Sequence, residues 1–150
     1  MQRIFPMNVF IIGSALETAK ALDKRRLNKQ IAECTQMLDA LEGKTNAWAH
    51  HPCTLQYKGY ERWLLAYKSC LLRYKCGEYQ RAETSDTWCK LNKPPFHTEE
   101  YFDQMKRRLY TKDPIFYAQW MNLGTSEVNW YFVDGEWRYY KNGKRVTESI

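Results

Sequence analysis

Leu27, Ile31, Cys34, Leu38 and Leu41 follow one another at intervals of four and three residues, the spacing that lays one apolar stripe along a helix. Asp23 is placed to cap the start of that helix and Gly43 to end it. Upstream, Ser14-Ala15-Leu16-Glu17 has the S-x-x-E form of a capping box, in which serine and glutamate side chains bond free amides of a first helical turn. Before it, Met1 to Ile12 carry Pro6 and a short β-branched run with no helical period, which predicts an extended arm. Beyond the polar Gly43 to Asn46 loop, His51-Pro52 puts a proline where a first helical turn tolerates it. Tyr60, Trp63, Leu64, Tyr67, Cys70, Leu71 and Tyr74 then repeat at helical spacing up to Gly77, a long, aromatic-faced core helix. Arg81 to Pro95 is polar and ends in Pro94-Pro95, so it predicts a surface connection. Thr98-Glu99-Glu100 opens a further helix, with a threonine cap and two acids where the helix dipole favours them, running through Tyr101, Met105 and Leu109. Asp113-Pro114 predicts the start of a short helix towards Trp120.

The period changes at the C-terminus. Trp130 to Val133, Glu136 to Tyr140 and Lys144 to Thr147 are separated by Asp134-Gly135 and Asn142-Gly143, the strongest hairpin dipeptides, and predict a small meander or two hairpin arms. The fold class expected is mainly α: a compact helical bundle in one domain, 1–150, with an extended N-terminal arm and a small β-hairpin or meander at 128–150.

With 44% hydrophobic and 27% charged residues, the 150-residue chain has an ordinary globular composition. Its 6 Trp, 11 Tyr and 6 Phe exclude disorder, because they supply the burial that disordered chains lack. No run approaches the ~20 apolar residues that span a bilayer, and Val9 to Ile12 is too short for a signal-peptide core, so no membrane association is expected and a cytoplasmic location is. Cys34, Cys53, Cys70, Cys76 and Cys89 are odd in number and never spaced C-x-x-C, which fits free thiols in a reducing compartment. Paired short Cys/His spacings are missing around His50, His51, Cys53 and His97, so neither a metal nor any other cofactor is expected.

A net charge of +6 permits a nucleic-acid partner and does not require one. Arg26, Lys29, Gln30 and Glu33 fall within roughly a 100° arc bordering the apolar stripe, which sets a carboxylate among cations. The same arc also suits an ordinary solvated face with a Lys29–Glu33 pair. Lys106, Arg107, Arg108 and Lys112 form a second basic set, and Arg138, Lys141, Lys144 and Arg145 interleave with Trp137, Tyr139 and Tyr140. Cations beside aromatics suit phosphates and stacked bases; aromatics inside and cations outside a meander give the same text. His51, before a helix start, and His97 suit a cap or a buried hydrogen-bonding role better than catalysis.

One ordered set resembles a known family: Phe5-Pro6, Asp23-x-x-Arg26-Leu27-x-Lys29-Gln30-x-x-Glu33, Trp48-x-x-His51-Pro52, Gly59-Tyr60-Glu61, His97, and Arg108 with Lys112-Asp113-Pro114-x-x-Tyr117. Over residues 1–120 the chain is similar to the pyrimidine-dimer DNA glycosylase (endonuclease V) family of phages and bacteria. The resemblance implies a helical enzyme without cofactor, acting as a monomer on double-stranded DNA. In that family the terminal α-amine attacks the sugar C1′ of a damaged pyrimidine nucleotide, displaces the base and leaves a Schiff base whose β-elimination nicks the strand. Carried over, the amine is that of Met1, since Gln2 is too bulky for the usual removal of the initiator. The helix carboxylate is Glu33, and Ala32 stands where the family has a basic residue directly before it. Arg3, Arg26, Lys29, Gln30, His51, His97, Arg108 and Lys112 are the implied DNA contacts, with Trp137, Tyr139, Tyr140, Lys141 and Lys144 in a tail that lies against DNA. Physical chemistry suits these roles: an α-amine has a pKa of about 7.7–8.0 against about 10.4 for lysine, so far more of it is a free nucleophile at neutral pH. Arg26 and Lys29 are expected to hold Glu33 ionised. Two readings from other classes stand beside it: a non-catalytic DNA-binding protein using the same basic surface, and, from the aromatic hairpins, a carbohydrate-binding unit.

Overall fold

The computed structural model describes residues 4–147, and the structural statements below concern those residues. In chain order they form α1 (Ala15–Ala21), α2 (Lys24–Leu41), α3 (Pro52–Gln56), α4 (Glu61–Lys75), α5 (Tyr79–Leu91), α6 (Glu99–Lys112), a 3-10 helix (Ala118–Leu123), and the strands β1 (Val128–Val133), β2 (Glu136–Lys141) and β3 (Lys144–Val146). The fold is mainly α, with the small sheet at its C-terminal end.

Local chemistry sets the helix starts. The capping box of α1 is complete: Ser14 Oγ accepts from the Glu17 amide at 3.1 Å, and Glu17 Oε1 accepts from the Ser14 amide at 3.4 Å. Asp23 caps α2 and Thr98 caps α6. The text from His51 to Gly77 becomes two helices, because Gly59, at φ +91°, takes a left-handed conformation that a helix interior forbids. Asp113-Pro114 opens turns rather than a helix: Asp113 Oδ1 accepts from the Phe116 amide at 3.0 Å, and helical geometry begins at Ala118 as 3-10.

α4 is the centre of the bundle and packs on α1, α2 and α5. Its buried face, Trp63, Leu64, Tyr67, Cys70 and Leu71, shares one core with Leu27, Cys34, Met37 and Leu38 of α2. Trp63 stacks between Tyr57 and Tyr67, with ring centroids 5.6 and 5.1 Å away. The expected surface connection from Arg81 to Pro95 is instead mostly α5. Its inward stripe is Ala82, Ser85, Asp86 and Cys89, small or polar residues with helical spacing but little hydropathy signal. Buried Asp86 has a task there: its carboxylate accepts from the Leu16 amide at 2.9 Å, satisfying an orphan donor in the first turn of α1.

The C-terminal segment is an antiparallel meander in the order β1-β2-β3, with Phe132 opposite Trp137 and Lys141 opposite Lys144. Both two-residue turns hold positive φ at each position, 53° and 76° at Asp134-Gly135 and the same at Asn142-Gly143, as tight hairpins require. β1 packs on α3 and α6. All five cysteines are free, with only Cys76 exposed. No helix among the described residues is long and apolar enough to cross a membrane.

Candidate active site

The extended arm has no ladder or helix of its own, so its buried backbone groups need partners from elsewhere. The Ile4 amide donates to the Gly143 carbonyl in the β2–β3 turn at 2.8 Å. His51 caps α3 by accepting from the Cys53 amide on Nδ1 at 3.0 Å, so Nε2 carries the ring proton and donates to the Phe5 carbonyl at 2.5 Å. The Tyr131 hydroxyl donates to the Met7 carbonyl at 2.6 Å. Gln30 holds two points: its amide nitrogen donates to the Asn8 carbonyl at 2.9 Å, and its oxygen accepts from the Phe10 amide at 2.6 Å. Thr18 Oγ1 accepts from the Ile12 amide at 3.0 Å. The arm is thus fixed from both the helical body and the sheet, with Met7 to Ile12 buried.

Pinned this way, Pro6, Met7, Asn8 and Phe10 form one wall of a cavity of about 220 Å³. Arg25, Arg26, Lys29 and Glu33 of α2 and Lys112 at the end of α6 complete it. Glu33 is the cavity's one carboxylate among four cationic side chains. Partial burial drives its carboxyl up to about 7, while Lys29 and Lys112 pull in the opposite direction without prevailing. The expectation that Arg26 and Lys29 keep it fully ionised therefore needs correction. Arg26 is committed elsewhere, to Asp23 at 3.1 Å and Asp113 at 4.0 Å, and desolvation outweighs the lysines. Lys112 is shifted down, first by burial of its ammonium group and then by Arg108, Lys29 and Arg26.

Of the residues singled out in the sequence, Arg26, Lys29, Glu33 and Lys112 meet at this cavity. Gln30 and His97 do not: they are 1% and 2% exposed, so neither presents a surface to a duplex. Gln30 lies on the inward side of α2, where its amide matches the arm's backbone. His97 sits in an aromatic nest, bonded through Nε2 to the Tyr57 hydroxyl at 2.8 Å and stacked on Tyr101, and burial pushes its pKa down to about 3, keeping it neutral. His51 and Arg108 are also buried, the first tethering the arm and the second donating to the Ser126 carbonyl at 2.8 Å. Trp137, Tyr139 and Tyr140 are half-buried and packed on Phe132, Trp130 and Tyr131. Lys141 and Lys144 flank the exposed side of the turn that holds Ile4. Met1 and Arg3 lie outside the described residues.

The sequence reading missed Arg25 and the brace formed by Asp23, Asp113 and Tyr117. Arg25 lines the cavity, and helical arithmetic alone could have found it, since Arg25, Lys29 and Glu33 stand four residues apart on one face. Asp23, Asp113 and Tyr117 form a brace behind the cavity: the Tyr117 hydroxyl donates to Asp23 and accepts from the Asp23 amide. Burial pushes the Asp23 carboxyl up, but Tyr117 and Arg26 outweigh it and leave it below its ordinary value. No sequence signal joins residues so far apart.

A family model described as pyrimidine dimer DNA glycosylase matches residues 7–81, half of the chain, which takes in the buried part of the arm from Met7, α1 to α4 and Glu33. No curated protein and no solved structure gives a match.

Proposed function

The chain belongs to the pyrimidine dimer DNA glycosylase family, and from that premise we propose that it excises damaged pyrimidines from duplex DNA using its N-terminal α-amine and Glu33. The supporting observation is the cavity itself, in which a half-buried carboxylate faces cations and the opposite wall is the anchored N-terminal arm.

In the proposed reaction the uncharged amine attacks C1′ and the base departs with the electrons of the glycosidic bond. Ring opening and loss of the amine proton give a Schiff base, and removal of the 2′ proton then expels the 3′ phosphate, the AP-lyase step. Ionised Glu33 stabilises the positive charge that builds on the sugar and afterwards accepts the 2′ proton. Lys29, Lys112 and Arg25 meet the flanking phosphates, while Arg26 stays paired with Asp23 and braces the start of α2. Gln30 and His51 act on the arm rather than on DNA, by holding the segment that carries the nucleophile.

Glu33→Gln tests the assignment. Glycosidic-bond cleavage at a single pyrimidine dimer in a duplex should fall about 100-fold or more, with duplex affinity kept within a few-fold. An active Glu33→Gln enzyme refutes it. Borohydride reduction in the presence of an abasic duplex should trap a covalent protein–DNA band that disappears when the N-terminus is blocked. A band that survives blocking assigns the amine to a lysine instead.

A further inference from the structure

Directly beyond Lys112 on the cavity rim, the chain leaves α6 and presents Pro114, Ile115 and Phe116 to solvent. Ile115 is 91% and Phe116 52% exposed. Side chains of this size are ordinarily tolerated singly at a surface, but these two are adjacent and rigidly mounted. Asp113 Oδ1 holds the Phe116 amide, and the Asp113 carbonyl holds the Tyr117 amide at 3.0 Å. Tyr117, fully buried next in the chain, is hydrogen-bonded to Asp23 and stacks on Trp120 with ring centroids 5.4 Å apart. Arg26 of the cavity sits over the Tyr117 ring at 5.9 Å and reaches Asp113. The apolar tip is thereby braced to the N-terminal end of α2, the helix that carries Glu33.

We propose that Ile115 and Phe116 form a wedge that enters the DNA base stack where a nucleotide is displaced beside the Glu33 cavity. This rests on the glycosylase reading. Chemistry at C1′ demands that a nucleotide leave the stack, and an apolar side chain filling the space it vacates offsets the lost stacking. The occupant is duplex DNA because the tip stands among cations: Lys112 precedes it, Arg26 is tied to its base, and Arg25 and Lys29 share the cavity. Phosphates meet those charges on either side of whatever the tip enters.

The test uses a duplex with a tetrahydrofuran abasic analogue, inert to chemistry, and 2-aminopurine as its neighbour. Saturating wild-type protein should raise the 2-aminopurine fluorescence as the neighbour unstacks. An Ile115→Ala/Phe116→Ala double variant should give less than about half of that rise at saturation, and Leu91→Ala, equally solvent-exposed on α5 and off the cavity, should give all of it. On dimer-containing DNA, the double variant should lose about 10-fold in glycosidic-bond cleavage in a fully paired duplex and much less when the dimer faces a mismatch that is already unstacked. Melting temperatures should be unchanged, since neither side chain is in the core. Equal fluorescence for wild type and double variant, or equal losses on paired and mismatched DNA, overturns the wedge. Wild-type protein that releases no base from any pyrimidine substrate refutes the glycosylase reading, and the fluorescence comparison still decides the wedge.

Discussion

Glu33, the carboxylate of the proposed reaction, lies where burial resists its ionisation. With its carboxyl raised from 4.5 to about 7, the folded protein keeps a proton across that window which the unfolded chain has released. Stability therefore falls as pH rises from about 5 to about 7, and the sign is opposite to that of a salt-bridged acid. Glu33→Gln has no proton to lose there, so its melting temperature relative to wild type should climb between about pH 5 and about pH 8, and a pH-independent difference would show that Glu33 titrates normally. If Glu33 acts as the carboxylate in the proposed reaction, glycosidic-bond cleavage should rise through about pH 7 over the same span. Glu33, Arg26 and Lys29 were legible as a group because helix geometry alone sets their azimuths. Gln30, on the same arc, was misassigned to DNA, since hydropathy sends a polar side chain outward. A primary amide offers both a donor and an acceptor, and the arm's backbone makes burying that pair favourable. The same blindness applies to His97, whose neutral, enclosed state follows from rings contributed by four different parts of the chain.

Among the elements, those written in large apolar residues or in caps were readable in advance: α1 from its capping box, α2 and α4 from their stripes, and the meander from its two turn dipeptides. α5 was not, because Ala82, Ser85, Asp86 and Cys89 fit closely against neighbouring helices by being small and by serving the α1 amides, neither of which is visible in hydropathy. The arm was recognisable as extended, while its anchoring was not, since each anchor is a tertiary contact to a single backbone atom. Gln30→Ala removes two of these anchors and strands the Asn8 carbonyl and the Phe10 amide. It should destabilise the protein by about 2 kcal/mol or more in denaturant titrations and depress base release further than the stability loss explains. Unchanged base release at a temperature where the variant is fully folded would mean that the arm needs no such positioning.

Across the whole molecule, the positive charge is divided between cations already paired and cations left to solvent. Arg138 and Arg145 are occupied with Glu136 and Asp134, whereas Lys141 and Lys144 at the adjoining turn have no acidic partner among the described residues. Removing both lysines should flatten the slope of log affinity against log salt by up to about 2, and removing Arg138 should change it far less. Equal effects of the two changes would place the sheet away from DNA. The hydrogen bonds that close the arm join residues 121 and 124 positions apart, and this separation governs the order of assembly. On the ribosome, α1 to α5 can gather by local contacts as they emerge, and Gln30 can take hold of Asn8 and Phe10 early, but the arm cannot be secured at Met7 until β1 has been synthesised, nor at Ile4 until Gly143 has. A nascent chain therefore displays its cationic helix well before the arm is fully fastened across the cavity, and the proposed site is completed only after β1 and the β2–β3 turn have been made.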